Sequence, residues 1–192
     1  LRKSEHLFFK LSNFTAFLRE WTASGTLNTA VSNKLNEWVY QETENAIKSE
    51  KLIGMVGGEH STSLGVIQAL ADYIDTFAIL QFDAHMDLRD KYQGFDHSHA
   101  SIMKNALDIH DVSRLIQVGI RDYCEEEVTV MKQSKGRVKT FFNHEIKKDL
   151  FQGKSWESIC KKIINNCPEQ VYISFDIDCL MPYLCPNTGT PV

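Results

Sequence analysis

From Leu52 onward the chain alternates short apolar runs with amphipathic stretches, and that alternation restricts it to βα units built on a mostly parallel sheet. The runs are Leu52 to Val56, Phe77 to Phe82, Leu115 to Ile120, Val138 to Phe142 and Val171 to Phe175. Strands buried on both faces read as such continuous runs. Amphipathic segments at Ser61 to Tyr73, Ser98 to Leu107, Glu125 to Gln133 and Trp156 to Ile164 would cover those faces. Ahead of them, Leu7, Leu11, Phe14 and Leu18, then Leu35, Trp38, Val39 and Ala46, recur at helical spacing. They predict helices over Ser4 to Trp21 and Val31 to Lys51.

A single domain over residues 1–192 is expected, because this length buries a substantial core and no linker-like tract interrupts it. The net charge of -4, without runs of Lys or Arg, lacks the basic footprint of a nucleic-acid binder and suits a cationic small molecule. No run approaches the ~20 apolar residues of a membrane span. Cys124, Cys160, Cys167, Cys179 and Cys185 are odd in number and form no C-x-x-C pair, so a reducing, cytoplasmic setting is expected. Leu1 stands where a start Met would, and Thr188 to Val192 is loop-like. The chain is therefore expected to be incomplete at both ends.

In parallel α/β sheets, ligands sit beyond the carboxyl ends of the strands, and here the polar clusters follow the strands directly. Behind Phe82 come Asp83, His85 and Asp87, which share one side if the strand end stays extended. Asp176 and Asp178 repeat the pattern behind Phe175, with Ser174 further back on the same side. Carboxylates so close repel each other unless a cation lies between them. Gly57 and Gly58 permit a tight turn that places His60 at the crevice mouth, and Ser61 could cap the following helix. His60, Asp83, His85, Asp87, Asp176 and Asp178 form a hard, oxygen-rich set that favours Mn²⁺ or a similar hard divalent ion over thiolate-bound zinc. Six ligands exceed what one ion takes while also binding water. Two ions about 3.5–4 Å apart, sharing a water of lowered pKa, are expected.

Gly-Gly-Glu-His at 57–60, Asp-Ala-His-Met-Asp at 83–87 and Ser-Phe-Asp-Ile-Asp at 174–178 resemble the three signature motifs of the ureohydrolases, the arginase/agmatinase/formimidoylglutamase family. The resemblance spans Leu52 to the C-terminus. It implies a three-layer α/β/α fold, a two-manganese centre held by His60, Asp83, His85, Asp87, Asp176 and Asp178, and hydrolysis of a guanidino or formimino group by a bridging hydroxide. Asp87 would orient that hydroxide, and His99 would shuttle a proton to the departing amine, with His97 as the competing candidate. It also implies a homo-oligomer, a trimer or hexamer.

The chain departs from the family pattern at Glu59 and Met181, where Asp is usual. The family's first strand is not recognisable before Leu52. The short loop from Asp87 to His99 and the segment Asp87-Leu88-Arg89-Asp90 resemble the agmatinase form, and Cys124 stands where arginases place an Asp for the α-amino group. These features favour agmatine, cleaved to putrescine and urea, as the small cationic guanidino substrate, which would tie the protein to polyamine metabolism. Arginase or formimidoylglutamase activity and a catalytically silent metal-binding member are the alternatives. Arg89 and Arg121 would either bind a substrate carboxylate or sit in surface ion pairs.

Overall fold

The computed structural model describes residues 6–8, 25–188 and 190. Four strands, β3 (Phe77–Phe82), β4 (Val112–Ile120), β5 (Val138–Phe142) and β6 (Val171–Phe175), form a wholly parallel sheet in the order β5-β4-β3-β6. A second, two-stranded parallel sheet joins β1 (His6–Phe8) to β2 (Leu52–Gly54). β1 falls inside the helix predicted over Ser4 to Trp21 and corrects it there; the rest of that stretch lies outside the described residues. A three-residue strand carries too little sequence to display its period of two, so the helical spacing around it dominates the reading.

Helix α1 (Gly25–Lys48) begins earlier and ends sooner than predicted. Helices α2 (Ser63–Ala71), α3 (Ile102–Leu107), α4 (Glu125–Gln133) and α6 (Trp156–Ile164) fall in the predicted amphipathic segments. Helix α5 (Asn143–Phe151) was not foreseen in the sequence. It follows Phe142 without a gap, and only Ile146 leans on the core, so no apolar stripe announces it.

The strands alternate between two cores, which gives the three-layer α/β/α arrangement. Phe77 and Ile79 of β3 and Leu115 of β4 face α2, α3 and α4, where they pack on Leu64, Ile67, Ile102, Met103 and Ala106. Ala78 of β3 with Ile116 and Val118 of β4 face the opposite way, onto Ile159 and Ile163 of α6. No helix among the described residues is long and apolar enough to cross a membrane.

Candidate metal centre

Parallel strands in step deliver their polar residues to one edge of the sheet. Phe82 pairs with Val118 on one side and Phe175 on the other, so Asp83 and Asp176 are the next residues on adjacent strands. Their amides continue the ladder: Asp176 N–H donates to Phe82 O at 2.9 Å, and Asp83 N–H to Val118 O at 3.2 Å. Gly119, at φ +96°, lets β4 shift register there, and a Cβ on it would sit 3.2 Å from Asp83 O.

Past Phe82 the chain leaves the strand, so Asp83, His85 and Asp87 are not three alternate residues of one straight element. Asp87 lies in the left-handed region at φ +56°, a conformation that a short carboxylate side chain tolerates. Its carbonyl accepts from Met103 N and Lys104 N, in the first turn of α3, whose amides lack partners within the helix. The turn carries the Asp87 carboxylate to His60.

His60 opens a 3₁₀ turn, His60–Thr62, just before α2. Glu59 caps this turn, its Oε2 accepting from Ser61 N at 2.6 Å and from the Ser61 hydroxyl, and the cap position of α2 falls to Thr62 rather than Ser61. The extra methylene of Glu59 over the usual Asp has a second use. Its Oε1 accepts from His99 N at 2.7 Å and lies 3.2 Å from His99 Nδ1.

Two groups of donor atoms converge, His60 with Asp83 and Asp176, and His85 with Asp83 and Asp178, each within 4.8 Å of one another. Asp83 belongs to both. His60 Nδ1 lies 2.9 Å from Asp87 Oδ2, 3.4 Å from Asp83 Oδ2 and 3.5 Å from Asp176 Oδ2. None of these completes a hydrogen bond, and the buried Nδ1 has no hydrogen-bond partner among the described residues. Its other nitrogen, Nε2, is 2.7 Å from Ser174 Oγ. If Nε2–H donates to Ser174, the Nδ1 lone pair points into the carboxylates, which is the arrangement of a histidine aimed at a cation. His85 Nδ1 lies 2.8 Å from Asp178 Oδ2 and 3.6 Å from Asp83 Oδ1, while its Nε2 is 3.3 Å from Thr190 Oγ1 and 3.6 Å from Asp122 Oδ2. An orphaned buried nitrogen amid acidic side chains fits a pair of hard divalent ions.

Electrostatics agree. Burial drives the Asp83 and Asp87 carboxyls above the ordinary carboxylate range. Burial opposes the His60 cation, but the neighbouring Asp87, then Asp83 and Asp176, push it up to about 9. Asp178 and then Asp83 push His85 up to about 11. Asp178, despite burial, is held down to about 2, chiefly by His85. Without a cation the site thus retains protons that the unfolded chain releases. Raised groups stabilise the fold below their unfolded pKa values and lose that contribution as pH climbs through their folded ones. For His60 the window runs from its ordinary 6.5 to about 9. A bound divalent ion replaces these protons. The difference in Tm between manganese-loaded and chelator-treated protein should therefore widen from pH 6 to pH 9, as read by thermal melts; a constant or narrowing difference would contradict it.

The remaining residues line or brace a cleft of about 770 Å³. His99 stands at its wall with a half-exposed ring, edge-on to Tyr92 at 5.5 Å. His97 faces elsewhere, with Nδ1 3.1 Å from Asn105 Nδ2. Arg89 lines the cleft with its guanidinium 5.4 Å over the Tyr92 ring. Arg121 donates to the carbonyls of Asp178 at 2.6 Å, Leu180 at 3.1 Å and Cys179 at 3.3 Å, so it clamps the loop that carries Asp178. Glu127 is buried and bonded to the amides of Leu88 and Cys124, both at 3.0 Å. The sequence reading missed these bracing roles. The available signal was a charged residue beside an otherwise apolar pattern.

A parallel α/β sheet that gathers acidic and histidine side chains beyond its strand ends places the chain in the class of α/β proteins with a candidate cation centre. The sequence model of the arginase family matches residues 11–192, and the chain belongs to that family. It is 31% identical over 149 residues to an agmatinase of Blochmanniella floridana, covering 78% of this chain and 45% of that one. The solved agmatine ureohydrolase of Thermoplasma volcanium superposes with a TM-score of 0.69 at 27% identity, over 84% of this chain and 51% of the other. An arginase from Bacillus cereus shares the fold with a TM-score of 0.73 at 21% identity, over 86% of this chain and 61% of the other. The chain thus spans about half the length of these relatives.

Proposed function

We propose that the protein is a manganese-dependent amidinohydrolase that cleaves agmatine to putrescine and urea. The observation that carries this reading is the pair of acid-and-histidine groups joined through Asp83, on a chain similar to an agmatinase. In this reading His60, Asp83, Asp87 and Asp176 hold one ion, and Asp83, His85 and Asp178 help hold the second. The two ions would supply a water of lowered pKa and offset the negative charge carried by its oxygen.

The protein's own groups do the rest. The acidic cleft draws in a cationic guanidinium. Asp87, buried beside His60, orients the attacking water. His99, braced on Glu59, hands a proton to the departing amine nitrogen as the C–N bond breaks, a task suited to an imidazole. By family resemblance the enzyme is a trimer or hexamer; its cysteine usage suits the cytoplasm and its length a single domain over residues 1–192.

An assay panel on the manganese-loaded, full-length protein tests the substrate. Urea from agmatine, with neither urea from arginine nor formamide from formimidoylglutamate, is the expected result. Turnover of arginine or formimidoylglutamate instead would reassign the substrate. No turnover of any of the three, with two ions bound, would favour a catalytically silent metal-binding protein.

A further inference from the structure

Two glutamines interrupt buried apolar runs, Gln81 in β3 and Gln117 between Ile116 and Val118 in β4, and both are fully buried. Neither is accounted for by packing. They stand at one level of the sheet: Thr140 pairs with Gln117, Gln117 with Gln81 and Gln81 with Ser174. One polar side chain per strand therefore forms a buried row just behind the metal centre. Thr140 Oγ1 donates to Gln117 Oε1 at 2.8 Å, Gln117 Nε2 to Gln81 Oε1 at 2.7 Å, and Gln81 Nε2 to Asp83 Oδ2 at 2.8 Å.

The direction of this chain is fixed by one atom. Gln117 Nε2 also donates to the carbonyl of Met86 at 2.7 Å, and a carbonyl can only accept. The amide of Gln117 therefore cannot flip, its remaining N–H must meet Gln81 Oε1, and the amide nitrogen of Gln81 must face Asp83. The outcome is a donor held against Asp83 Oδ2 while the His85 amide donates to Oδ1 at 2.7 Å. Each oxygen of the shared carboxylate then has one lone pair engaged by the protein and another left for an ion. The same oxygens already divide between the groups, with Oδ2 toward His60 and Oδ1 toward His85.

We propose that Gln117 and Gln81 are positioning residues that lock the Asp83 carboxylate in the rotamer that bridges two cations, with Met86 O setting the polarity of the relay. This rests on the metal-centre reading above and adds to it how the bridge is held. Partners that orient metal ligands through hydrogen bonds typically change metal affinity by ~10–100-fold when removed. Gln117→Leu keeps most of the buried volume but abolishes the polarity. Thr140→Val removes a hydrogen bond of the same row but leaves the anchor to Met86 intact.

The test is Mn²⁺ titration of the full-length protein and its variants, followed by calorimetry and by the electron paramagnetic resonance of the coupled ion pair. Gln117→Leu and Gln81→Leu should weaken manganese binding ~10–100-fold and diminish the coupled-pair signal. Thr140→Val should lower Tm with affinity within about threefold of wild type. The double variant should bind no more weakly than Gln81→Leu alone, since both act through one contact. Wild-type affinity and signal in a folded Gln81→Leu protein would overturn the relay, as would equal weakening by Thr140→Val and Gln117→Leu. Should Gln117→Leu fail to fold, Gln81→Leu against Thr140→Val decides. A wild-type protein that takes up no manganese would overturn the metal-centre reading itself, and the relay with it.

Discussion

Asp83→Ala should leave the protein unable to hold either cation, with manganese content falling from two equivalents toward zero and turnover lost. Among the described residues, no other side chain belongs to both converging groups. Asp83 is also almost wholly buried, and its two oxygens face different histidines. Removing it takes a ligand from each ion and the charge that makes two divalent ions tolerable so close together. The loss should exceed the ~10–100-fold typical of an outer hydrogen-bond partner. Asp178→Ala should behave differently. Asp178 faces His85 at 2.8 Å and belongs only to that group, so one equivalent should survive, held by His60, Asp83 and Asp176. Metal analysis after dialysis separates the two patterns. Equal losses in the two variants would show that the sites do not share a bridge where Asp83 stands.

The ligand candidates were legible because chemistry and period coincide in the sequence: apolar runs that end in Asp-x-His or Asp-x-Asp announce a strand and its cargo together. What brings those motifs to one place is register, and register is not written in any single run. Phe82 opposite Phe175 sets Asp83 beside Asp176, a pairing that many slips of one residue would have denied. The left-handed turn at Asp87 was illegible for a related reason. Alternation of side chains assumes a strand, and only the tertiary partners at Met103 and Lys104 show that the strand has already ended. Arg121 read as a substrate ligand or a surface charge because its partners, the carbonyls of residues 178–180, lie far along the chain. Gln81 and Gln117 did carry a signal, a polar residue inside a buried run. A buried amide must be satisfied, but the sequence cannot say by what.

Gly65→Ala should destabilise the protein, although Gly65 lies in a helix, where this exchange ordinarily stabilises by ~1 kcal/mol. Helix α2 crosses α1 so closely at this point that a Cβ would sit 2.4 Å from Asn36 O, 2.9 Å from Tyr40 N and 2.9 Å from Val39 Cβ. Two of those atoms are backbone and cannot rotate away. The helices must separate, and overpacking of this kind costs about 1–3 kcal/mol or more. With a rigid obstacle the upper end applies, so the clash outweighs the propensity gain and a net Tm decrease of roughly 4–8 °C is expected for a chain of this size. Gly54→Ala serves as the control, because nothing among the described residues lies within 4 Å of its added Cβ. The consequence reaches the metal centre. The 3₁₀ turn that carries His60 runs directly into α2, so a displaced α2 draws the imidazole away from Asp83 and Asp87. Thermal melts should therefore show the drop in Tm, and manganese titration should show weaker binding to the folded variant. A stabilised Gly65→Ala protein would mean that the two helices do not approach each other this closely.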